Sequence, residues 1–342
     1  MEKNNNLIKR VSQKLLLSNK SFLMAGILFV LLSLLSKNFL SPVNLMNLLR
    51  QISINMVVSM GFTFIIGSGH IDLSVGSIVG FVGIIVAKLV VQAHAPIWIA
   101  IIVGLLVGAV IGAMNATIIS VFKLPPFVVT LAMQSLFRGL IYIITQFVPI
   151  SGFSNEFMFI GQGWVLGLPM PAVIMIITVV LMYFVSKRTM FGRYVIAMGG
   201  NPEAARASGV DLFRMRLWIY VVMGVCSAIA GIILTARVGS ATISAGDGME
   251  LDAISSVVIG GTSMAGGNVN IIGTVFGALI IGLCSNGMNL LGIQTNYQII
   301  SKGILILLAL ILDSVSATYY DKMRKKQALM ALEKKMQQGD KA

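Results

Sequence analysis

Few side chains in this sequence can do acid–base or metal chemistry. It contains 2 histidines: His70 lies beside Asp72 in G-S-G-H-I-D-L-S-V-G, and His94 lies in a separate A-H-A-P turn. Because histidines and carboxylates do not cluster, the sequence offers no metal site. It also lacks a G-x-x-x-x-G-K-[ST] loop, which would bind the phosphates of ATP. We therefore predict that the chain is not an enzyme and needs neither a metal nor another cofactor.

A polar and basic segment, residues 187–216, has the pattern of a docking element. Gly199 and Gly200 allow a sharp turn, Asn201 can cap a helix, Pro202 suits its first position, and Gly209 suits its end. A helix of about two turns is too short to be stable alone in water, so it needs a surface to pack against. The predicted docking segment comprises Gly200, Asn201, Pro202, Glu203, Ala204, Ala205, Arg206, Ser208 and Gly209.

The side chains of this segment suggest how it is used. Ala204, Ala205 and Ser208 are expected on one face, where the groove of another protein can approach the backbone closely. Glu203 and Arg206, three residues apart, can pair with each other or with the partner. The alternative is an ordinary connecting loop whose charges only fix the membrane topology.

The composition is that of a polytopic membrane protein. Of the 342 residues, 57% are hydrophobic and 11% are charged, and the mean hydropathy is +0.92. The net charge of +13 does not indicate nucleic acid, because 19 of the 25 Lys and Arg lie in segments that the positive-inside rule assigns to the cytoplasm. We predict cytoplasmic basic tails at residues 1–20 and 315–342, with a transmembrane domain at 21–314 between them.

Apolar segments of about 20 residues predict membrane spans. Six precede the basic segment and three clear ones follow it, so a fourth crossing is needed to return the basic C-terminal tail to the cytoplasm. We predict an all-α protein with about ten transmembrane elements, some of them broken helices, and both termini in the cytoplasm. The predicted elements are residues 22–35, 52–66, 77–91, 97–120, 127–148, 172–185, 217–236, 253–260, 271–284 and 299–312.

A weak internal similarity relates the two halves of the chain. I-D-L-S-V-G-S from Ile71 is similar to L-D-A-I-S-S from Leu251, and G-A-V-I-G-A-M-N from Gly108 is similar to G-A-L-I-I-G from Gly277. Five elements in each half is an odd number, so the second half would be inverted in the membrane. Chance similarity between glycine-rich apolar segments is the alternative.

Five motifs follow one another along the chain: I-D-L-S-V-G-S at Ile71, G-G-N-P-E-A-A-R-A-S-G-V at Gly199, E-L-D-A-I-S-S-V-V-I-G-G-T-S at Glu250, A-G-G at Ala265 and N-G-M-N-L-L-G at Asn286. Together they resemble the permease subunits of bacterial monosaccharide ABC importers of the ribose, xylose and galactose type. The resemblance covers residues 44–313 and implies the ABC importer permease fold.

The resemblance also implies a function and partners. It implies a multi-pass protein of the bacterial inner membrane that translocates a monosaccharide such as ribose. The implied partners are a second permease subunit, giving a homodimer or a pair, a cytoplasmic ATPase with two cassettes in one chain, and a periplasmic or lipid-anchored sugar-binding protein. Within the cytoplasmic coupling segment 187–216, residues 200–209 resemble the part that couples the permease to the ATPase. No residue identifies the sugar.

Polar side chains inside the apolar segments are candidates for the path of the sugar, because amides and carboxylates match hydroxyl groups. The alternatives are hydrogen bonding between helices and, for the acidic residue, capping of the helix that follows it. The candidates are Asp72, Asn115, Gln134, Asn286 and Asn289.

Two further groups of charges have expected roles. Arg138 and Lys302 lie inside predicted spans and are expected to pair with carboxylates or to extend toward the membrane surface. The segment 240–252 and the loop 151–167 are expected on the outer side as the landing surface of the binding protein. The acidic residues of that surface are Asp247, Glu250 and Asp252.

Other function classes make different demands on the sequence. Autoinducer-like or nucleoside cargo would use the same ABC permease. An ion-coupled secondary transporter would need a pair of carboxylates in the membrane, where Asp72 and Asp252 are the candidates. A membrane enzyme would need a convergent catalytic cluster, which the sequence lacks.

Overall fold

The computed structural model describes residues 20–294, 296–304, 307–308 and 311. The predicted tails lie outside the described residues except for residue 20. The helices are α1 (Lys20–Leu35), α2 (Pro42–Gly67), α3 (Val75–Ala87, continued by a π-helical turn, Lys88–Gln92), α4 (Ile97–Val121), α5 (Pro126–Thr145), α6 (Asn155–Gln162), α7 (Met170–Arg188), α8 (Met190–Gly200), α9 (Pro202–Ala207), α10 (Leu212–Val238), α11 (Met249–Ile259) and α12 (Ile271–Leu290). Residues 296–304 are also helical.

Helix length and composition confirm an all-α polytopic membrane protein. In the described part of the chain, seven helices are long and apolar enough to cross a membrane. They are α2, α3 with its π-helical turn, α4, α5, α7, α10 and α12. Two other helices on predicted elements are shorter, α1 with 16 residues and α11 with 11. The first nine predicted elements lie wholly or mostly on helices, and the described residues of the tenth, 299–304, 307–308 and 311, are helical, while the rest of it lies outside the described residues. This does not make each element a complete crossing.

The central helix of the bundle is α10, which packs against α2, α3 and α4. Its contact with α4 is backbone to backbone, since a Cβ on Gly224 would lie 2.0 Å from Gly108 O, and one on Gly112 would lie 2.1 Å from Tyr220 O. Small residues allow this approach, and close packing is the main source of helix association in a membrane.

The two halves of the chain exchange packing partners. Helix α10 packs on α3 and α4 of the first half, and α2 packs on α11 and α12 of the second half. The similar motifs at Gly108 and Gly277 lie in α4 and α12, which therefore occupy corresponding places in this exchange.

Connections gather at two ends of the bundle. At the end that carries α9, Gly267 N donates to Gly67 O at 2.9 Å, and a Cβ on Gly199 would lie 2.0 Å from the same oxygen. At the end that carries α6, strand β1 (Ile150–Ser151) pairs with β4 (Ser240–Ala241), and β2 (Trp164–Val165) forms a hairpin with β3 (Leu168–Pro169). The loop 151–167 and the segment after α10, both predicted on one side, are thus hydrogen-bonded to each other.

Candidate functional site

The short helix α9 forms where the docking segment predicts it. Asn201 has an extended backbone and its Oδ1 accepts a hydrogen bond from Ala204 N at 3.0 Å, Pro202 is the first helical residue, and Gly209 has φ +86°. These are the cap, the first position and the left-handed stop that the sequence indicates.

The predicted turn at Gly199 and Gly200 is wrong. Both residues belong to α8, an additional helix inside the basic segment, and the chain turns at Asn201. Gly199 instead permits the close contact with Gly67, which leaves no room for a side chain. The glycine therefore fixes α8 against the end of α2.

Ala204, Ala205 and Ser208 line one groove between α8 and α9, as the predicted shared face requires, but they differ in exposure. Ala205 is buried at 4% exposure, whereas Ala204 and Ser208 are exposed. Successive helical residues are rotated by about 100°, so Ala205 turns further toward the bundle than Ala204 and Ser208 do. Ala205 anchors α9 to the bundle and leaves the other two residues open.

The exposed surface of α9 combines a groove with two charges. A groove of about 450 Å³ lies between α8 and α9, and Arg193, Ala204 and Ser208 are among its lining residues. Glu203 and Arg206 lie 4.0 Å apart, with side-chain exposures of 81% and 66%. An exposed pair of this kind contributes little to stability, so both charges are free to meet another protein.

A second polar group lies in the connector between α2 and α3. Asp72 Oδ1 accepts hydrogen bonds from Ser74 N at 2.9 Å and from Ser74 Oγ at 2.6 Å, and Asn115 Nδ2 donates to Ser74 Oγ at 2.8 Å. Asp72 thus makes the kind of capping contact that the sequence predicts, since it accepts the backbone N–H of Ser74, the helical residue directly before α3. Asp72 and Asn115 are brought together through Ser74.

This connector is buried, and burial changes its protonation. Burial, together with nearby Arg216, lowers the pKa of His70 to about 4, so the imidazole is neutral near pH 7. Burial also raises the pKa of Asp72 to about 6, although the hydrogen bonds from Ser74 act in the opposite direction. Among the described residues, Asp72 Oδ2 and Asn115 Oδ1 have no hydrogen-bond partner, so each can accept a hydrogen bond.

A third polar contact joins α5, α11 and the start of α3. Gln134 Nε2 donates to Glu250 Oε1 at 3.2 Å. Glu250 is 7% exposed, and a Cβ added to Gly76 would lie only 2.3 Å from its Oε2. The same Cβ would lie 2.3 Å from Gly246 O. The absence of a side chain at residue 76 therefore lets the carboxylate and the 246 backbone meet α3.

Arg138 and Lys302, the two basic residues expected to pair inside predicted spans, both pair with carboxylates. Arg138 forms an ion pair with Asp247, and its Nη1 donates to the carbonyl oxygens of Ile243 and Ala245 at 3.0 and 3.1 Å. Lys302 Nζ lies 2.8 Å from Asp252 Oδ2. Arg138 thus holds the 240–248 segment onto α5.

The predicted acidic landing surface needs a correction. Only Asp247 has an exposed side chain, at 58%, whereas Glu250 is buried against Gln134 and Asp252 is 20% exposed and held by Lys302. Both belong to the first turn of α11 and point into the bundle, which their sequence position alone does not indicate. Asp72 and Asp252 also have separate partners, so no carboxylate pair of the kind an ion-coupled transporter needs is formed between them.

Asn286 and Asn289 are separated from the other path candidates. Asn286 and Asn44 exchange two amide hydrogen bonds of 2.8 and 3.2 Å between α12 and α2, and Asn289 accepts a hydrogen bond from Gln298 at 2.8 Å. The interpretation as hydrogen bonds between helices fits these two residues better than a place in the path.

We expect Asn286→Leu to lower stability without changing transport affinity. The substitution leaves Asn44 without its amide partner, and hydrogen bonds between membrane helices contribute about 0.6 kcal/mol on average. Thermal unfolding in detergent and the uptake KM measure the two effects separately. The double variant with Asn44→Leu should lose less stability than the two single losses together. If Asn286→Leu instead raises the KM and leaves the stability unchanged, Asn286 belongs to the path of the sugar after all.

Sequence reasoning missed three residues of these contacts. Ser74 joins Asp72 to Asn115, and Gly76 makes room for Glu250. Tyr220, whose ring centroid lies 6.0 Å from that of His70, is fully buried, and its hydroxyl has no hydrogen-bond partner in the described part of the chain. The glycine spacing of α3, with Gly76, Gly80 and Gly83 on one side, is the one sequence signal that could have indicated a close contact.

Comparisons with known proteins bear on the whole chain. The family described as branched-chain amino acid transport system / permease component matches residues 44–310. The chain is 45% identical over 294 residues to the ribose import permease protein RbsC of Bacillus subtilis, covering 85% of this chain and 91% of that protein. It is 40% identical to RbsC of Haemophilus influenzae, covering 89% and 95%, and 38% identical to the D-allose transport system permease protein AlsC of Escherichia coli, covering 85% and 90%. No solved structure matches the chain.

Proposed function

The chain belongs to the family of branched-chain amino acid transport system / permease components, and on that premise we propose that it is the permease of an ATP-driven importer of ribose or a related monosaccharide. The 45% identity to a ribose import permease over 85% of the chain carries this proposal. It also confirms the resemblance that the five motifs indicate. The chain is a permease subunit, not an enzyme, and ATP hydrolysis belongs to a separate subunit.

The proposed topology has ten membrane elements and both termini in the cytoplasm. Seven helices long enough to span, the shorter α1 and α11, and the helical residues after 295 support it. The α9 end then faces the cytoplasm and the α6 end faces out, because the basic segment 187–216 lies at the first and the loop 149–171, without Lys or Arg, at the second. The exchange of partners between α2 and α10 supports two inverted halves.

We assign one proposed partner protein to each end of the helix bundle. A double-cassette ATPase binds the groove of α8 and α9 in the cytoplasm, and a periplasmic or lipid-anchored sugar-binding protein lands on the loop 151–167 near Asp247. A second permease subunit, most simply another copy of this chain, completes the membrane part. The segments 1–20 and 315–342 are cytoplasmic tails of the transmembrane domain 21–314.

The contacts suggest how ATP would drive transport. Closure of the cassettes pushes on α9, which Ala205 anchors to the bundle and which α8 joins to Gly67 at the end of α2. The force therefore reaches the connector that holds His70 and Asp72, immediately before α3. Movement of α3 changes its contact with the 240–248 segment through Gly76 and Gly246. The two ends can thus open alternately.

For the path of the sugar we propose Asp72, Asn115 and Gln134, with Glu250 added. Within the described residues, Asp72, Asn115 and Glu250 each have an acceptor atom without a hydrogen-bond partner, and this supports the assignment because each can bind a hydroxyl group. Three acceptor atoms are few for a ligand that carries several hydroxyl groups, so a passing sugar meets a weak site. Weak binding suits an importer in which a separate protein captures the cargo.

The experiment that tests the function is uptake by a defined complex. The chain is purified in mild detergent from its own host, proteins that copurify are identified by mass spectrometry, and the complex is reconstituted into liposomes with ATP inside. Uptake of labelled ribose, allose and xylose is measured with the matching binding protein outside. ATP-dependent uptake of one of them is expected. Copurification without any ATPase, or uptake driven by an ion gradient alone, would contradict the proposal.

A further inference from the structure

Five buried polar atoms lie where the α2–α3 connector meets α4 and α10. Among the described residues, none of these atoms has a hydrogen-bond partner. Unpaired polar atoms in a protein interior are destabilising and rare, so five in one region indicate a place that receives the polar groups of a ligand. The five atoms are His70 Nδ1, Asp72 Oδ2, Asn115 Oδ1, Arg216 Nε and Tyr220 OH.

Four of the five residues are joined by close contacts. The ring centroids of His70 and Tyr220 lie 6.0 Å apart. Tyr220 packs by its backbone on α4, because a Cβ on Gly112 would lie 2.1 Å from Tyr220 O. Asn115 lies three residues after Gly112 on the same buried face of α4. The serine between them links Asn115 to Asp72 through hydrogen bonds of 2.8 and 2.6 Å.

Arg216 is the fifth residue and lies nearest to the α9 end. It lies one helical turn before Tyr220 in α10, so the two side chains are neighbours on one face of that helix. Its Nη1 donates to Ser120 Oγ of α4 at 2.8 Å. Arg216 is also the last residue of the basic segment 187–216, which carries α9. The group therefore reaches the end of the bundle that faces the cytoplasm in the proposed topology.

Burial decreases across the group in the same direction. Asp72, Asn115 and Tyr220 are at most 1% exposed. His70 and Arg216 are half-buried, although their unpaired nitrogen atoms are covered. The group therefore lies between the buried part of the proposed sugar path and the cytoplasmic surface.

The types of the five atoms indicate the chemistry of the ligand. Tyr220 OH and Arg216 Nε–H can donate, whereas the oxygens of Asp72 and Asn115 accept. A hydroxyl group both donates and accepts, so a ligand with several hydroxyl groups can pair with all of these atoms. Asp72 repels an anion and Arg216 repels a cation, so a neutral ligand fits best.

We propose that His70, Tyr220 and Arg216 form an exit site for the sugar, which continues the path from Asp72 and Asn115 toward the cytoplasm. The inference rests on the proposed function and extends its path by three residues. The site binds the hydroxyl groups of a neutral monosaccharide, so these groups stay hydrogen-bonded while the sugar leaves the bundle. Water has the same hydroxyl chemistry and is the competing occupant.

Removing one hydroxyl group tests the inference. The full complex carrying Tyr220→Phe is reconstituted into liposomes with ATP inside, and initial uptake is measured for ribose, allose or xylose, whichever the wild type transports. Monodeoxy analogues of that sugar are measured in the same way, each at a concentration that saturates the binding protein. We expect uptake of the parent sugar to fall by about threefold to tenfold. One analogue, which lacks the hydroxyl group that contacts Tyr220, should be transported equally by the variant and the wild type.

Two controls separate sugar binding from packing. Tyr183→Phe in α7 removes the same atom from a side chain that is 42% exposed, and it should transport like the wild type. Thermal unfolding in detergent is measured for Tyr220→Phe. Because the Tyr220 hydroxyl has no hydrogen-bond partner in the described part of the chain, its loss should not lower the unfolding temperature.

The other outcomes overturn the exit site. Unchanged uptake of the parent sugar by Tyr220→Phe would do so. An equal fall for the parent sugar and every analogue would assign the atoms to bound water, and a fall with a lower unfolding temperature would give the hydroxyl a role in packing. If the wild-type complex transports none of the three sugars, the proposed function fails and the exit site fails with it. If the wild type transports one of them and the variant matches it, the exit site alone is wrong.

Discussion

Replacing Arg206 with glutamate is expected to abolish sugar uptake while the chain still inserts and folds. Arg206 is 66% exposed and its one ion pair in the described chain, with Glu203, is 4.0 Å long, so the bundle loses little when the charge is reversed. In the proposed complex the same side chain faces the ATPase, where a reversed charge repels the partner's surface. Glu203→Lys should act in the same way.

Three measurements check this expectation. Uptake is measured in cells, the amount of chain in the membrane by immunoblot, and copurification of the ATPase by mass spectrometry. Arg214→Glu is the matched control, because Arg214 is 80% exposed and pairs with Asp211 three residues away, yet it lies at the start of α10 rather than on α9. Normal uptake in both the Arg206 and the Glu203 variants would remove α9 from the coupling role.

Replacing Gly76 with valine is also expected to abolish uptake, but through overpacking inside the bundle rather than through loss of contact with the ATPase. A Cβ at this position would lie 2.3 Å from both Glu250 Oε2 and Gly246 O, so the carboxylate and the backbone of the 240–248 segment must both move. Overpacking of this kind costs about 1–3 kcal/mol. The side chain also separates α3 from the segment whose contact with it is proposed to change during transport.

The control is Gly139→Val in α5, where a Cβ would meet nothing within 4 Å. Both substitutions add the same side chain inside a helix, so only the one at residue 76 should lower the unfolding temperature and uptake. A second variant, Gly76→Val with Glu250→Ala, removes the side-chain clash but keeps the backbone clash. Full uptake by Gly76→Val would show that α3 and the 240–248 segment need not touch.

The sequence predicts best what depends on neighbours along the chain. The cap at Asn201, the start at Pro202 and the stop at Gly209 are each decided within a few residues, and the structure has all three. The apolar segments are likewise properties of continuous stretches, so their helices follow from composition. The burial cost of a charge predicts that Arg138 and Lys302 find carboxylates, although it does not say which.

Tertiary structure alone decides which polar residues meet. Gln134 and Glu250 are 116 positions apart, and Asn44 and Asn286 are 242 apart, so their contacts depend on how whole helices cross. Glu250 follows a loop, so the sequence predicts it on an outer surface. In the structure its carboxylate instead occupies the buried space that Gly76, which has no side chain, leaves open. The position at which two helices cross depends on close packing at many small residues along both helices, so no single sequence motif predicts it. For this reason the chain encodes its apolar helices and the short helix α9 locally, and the contacts of Gln134 with Glu250 and of Asn44 with Asn286 only through the fold.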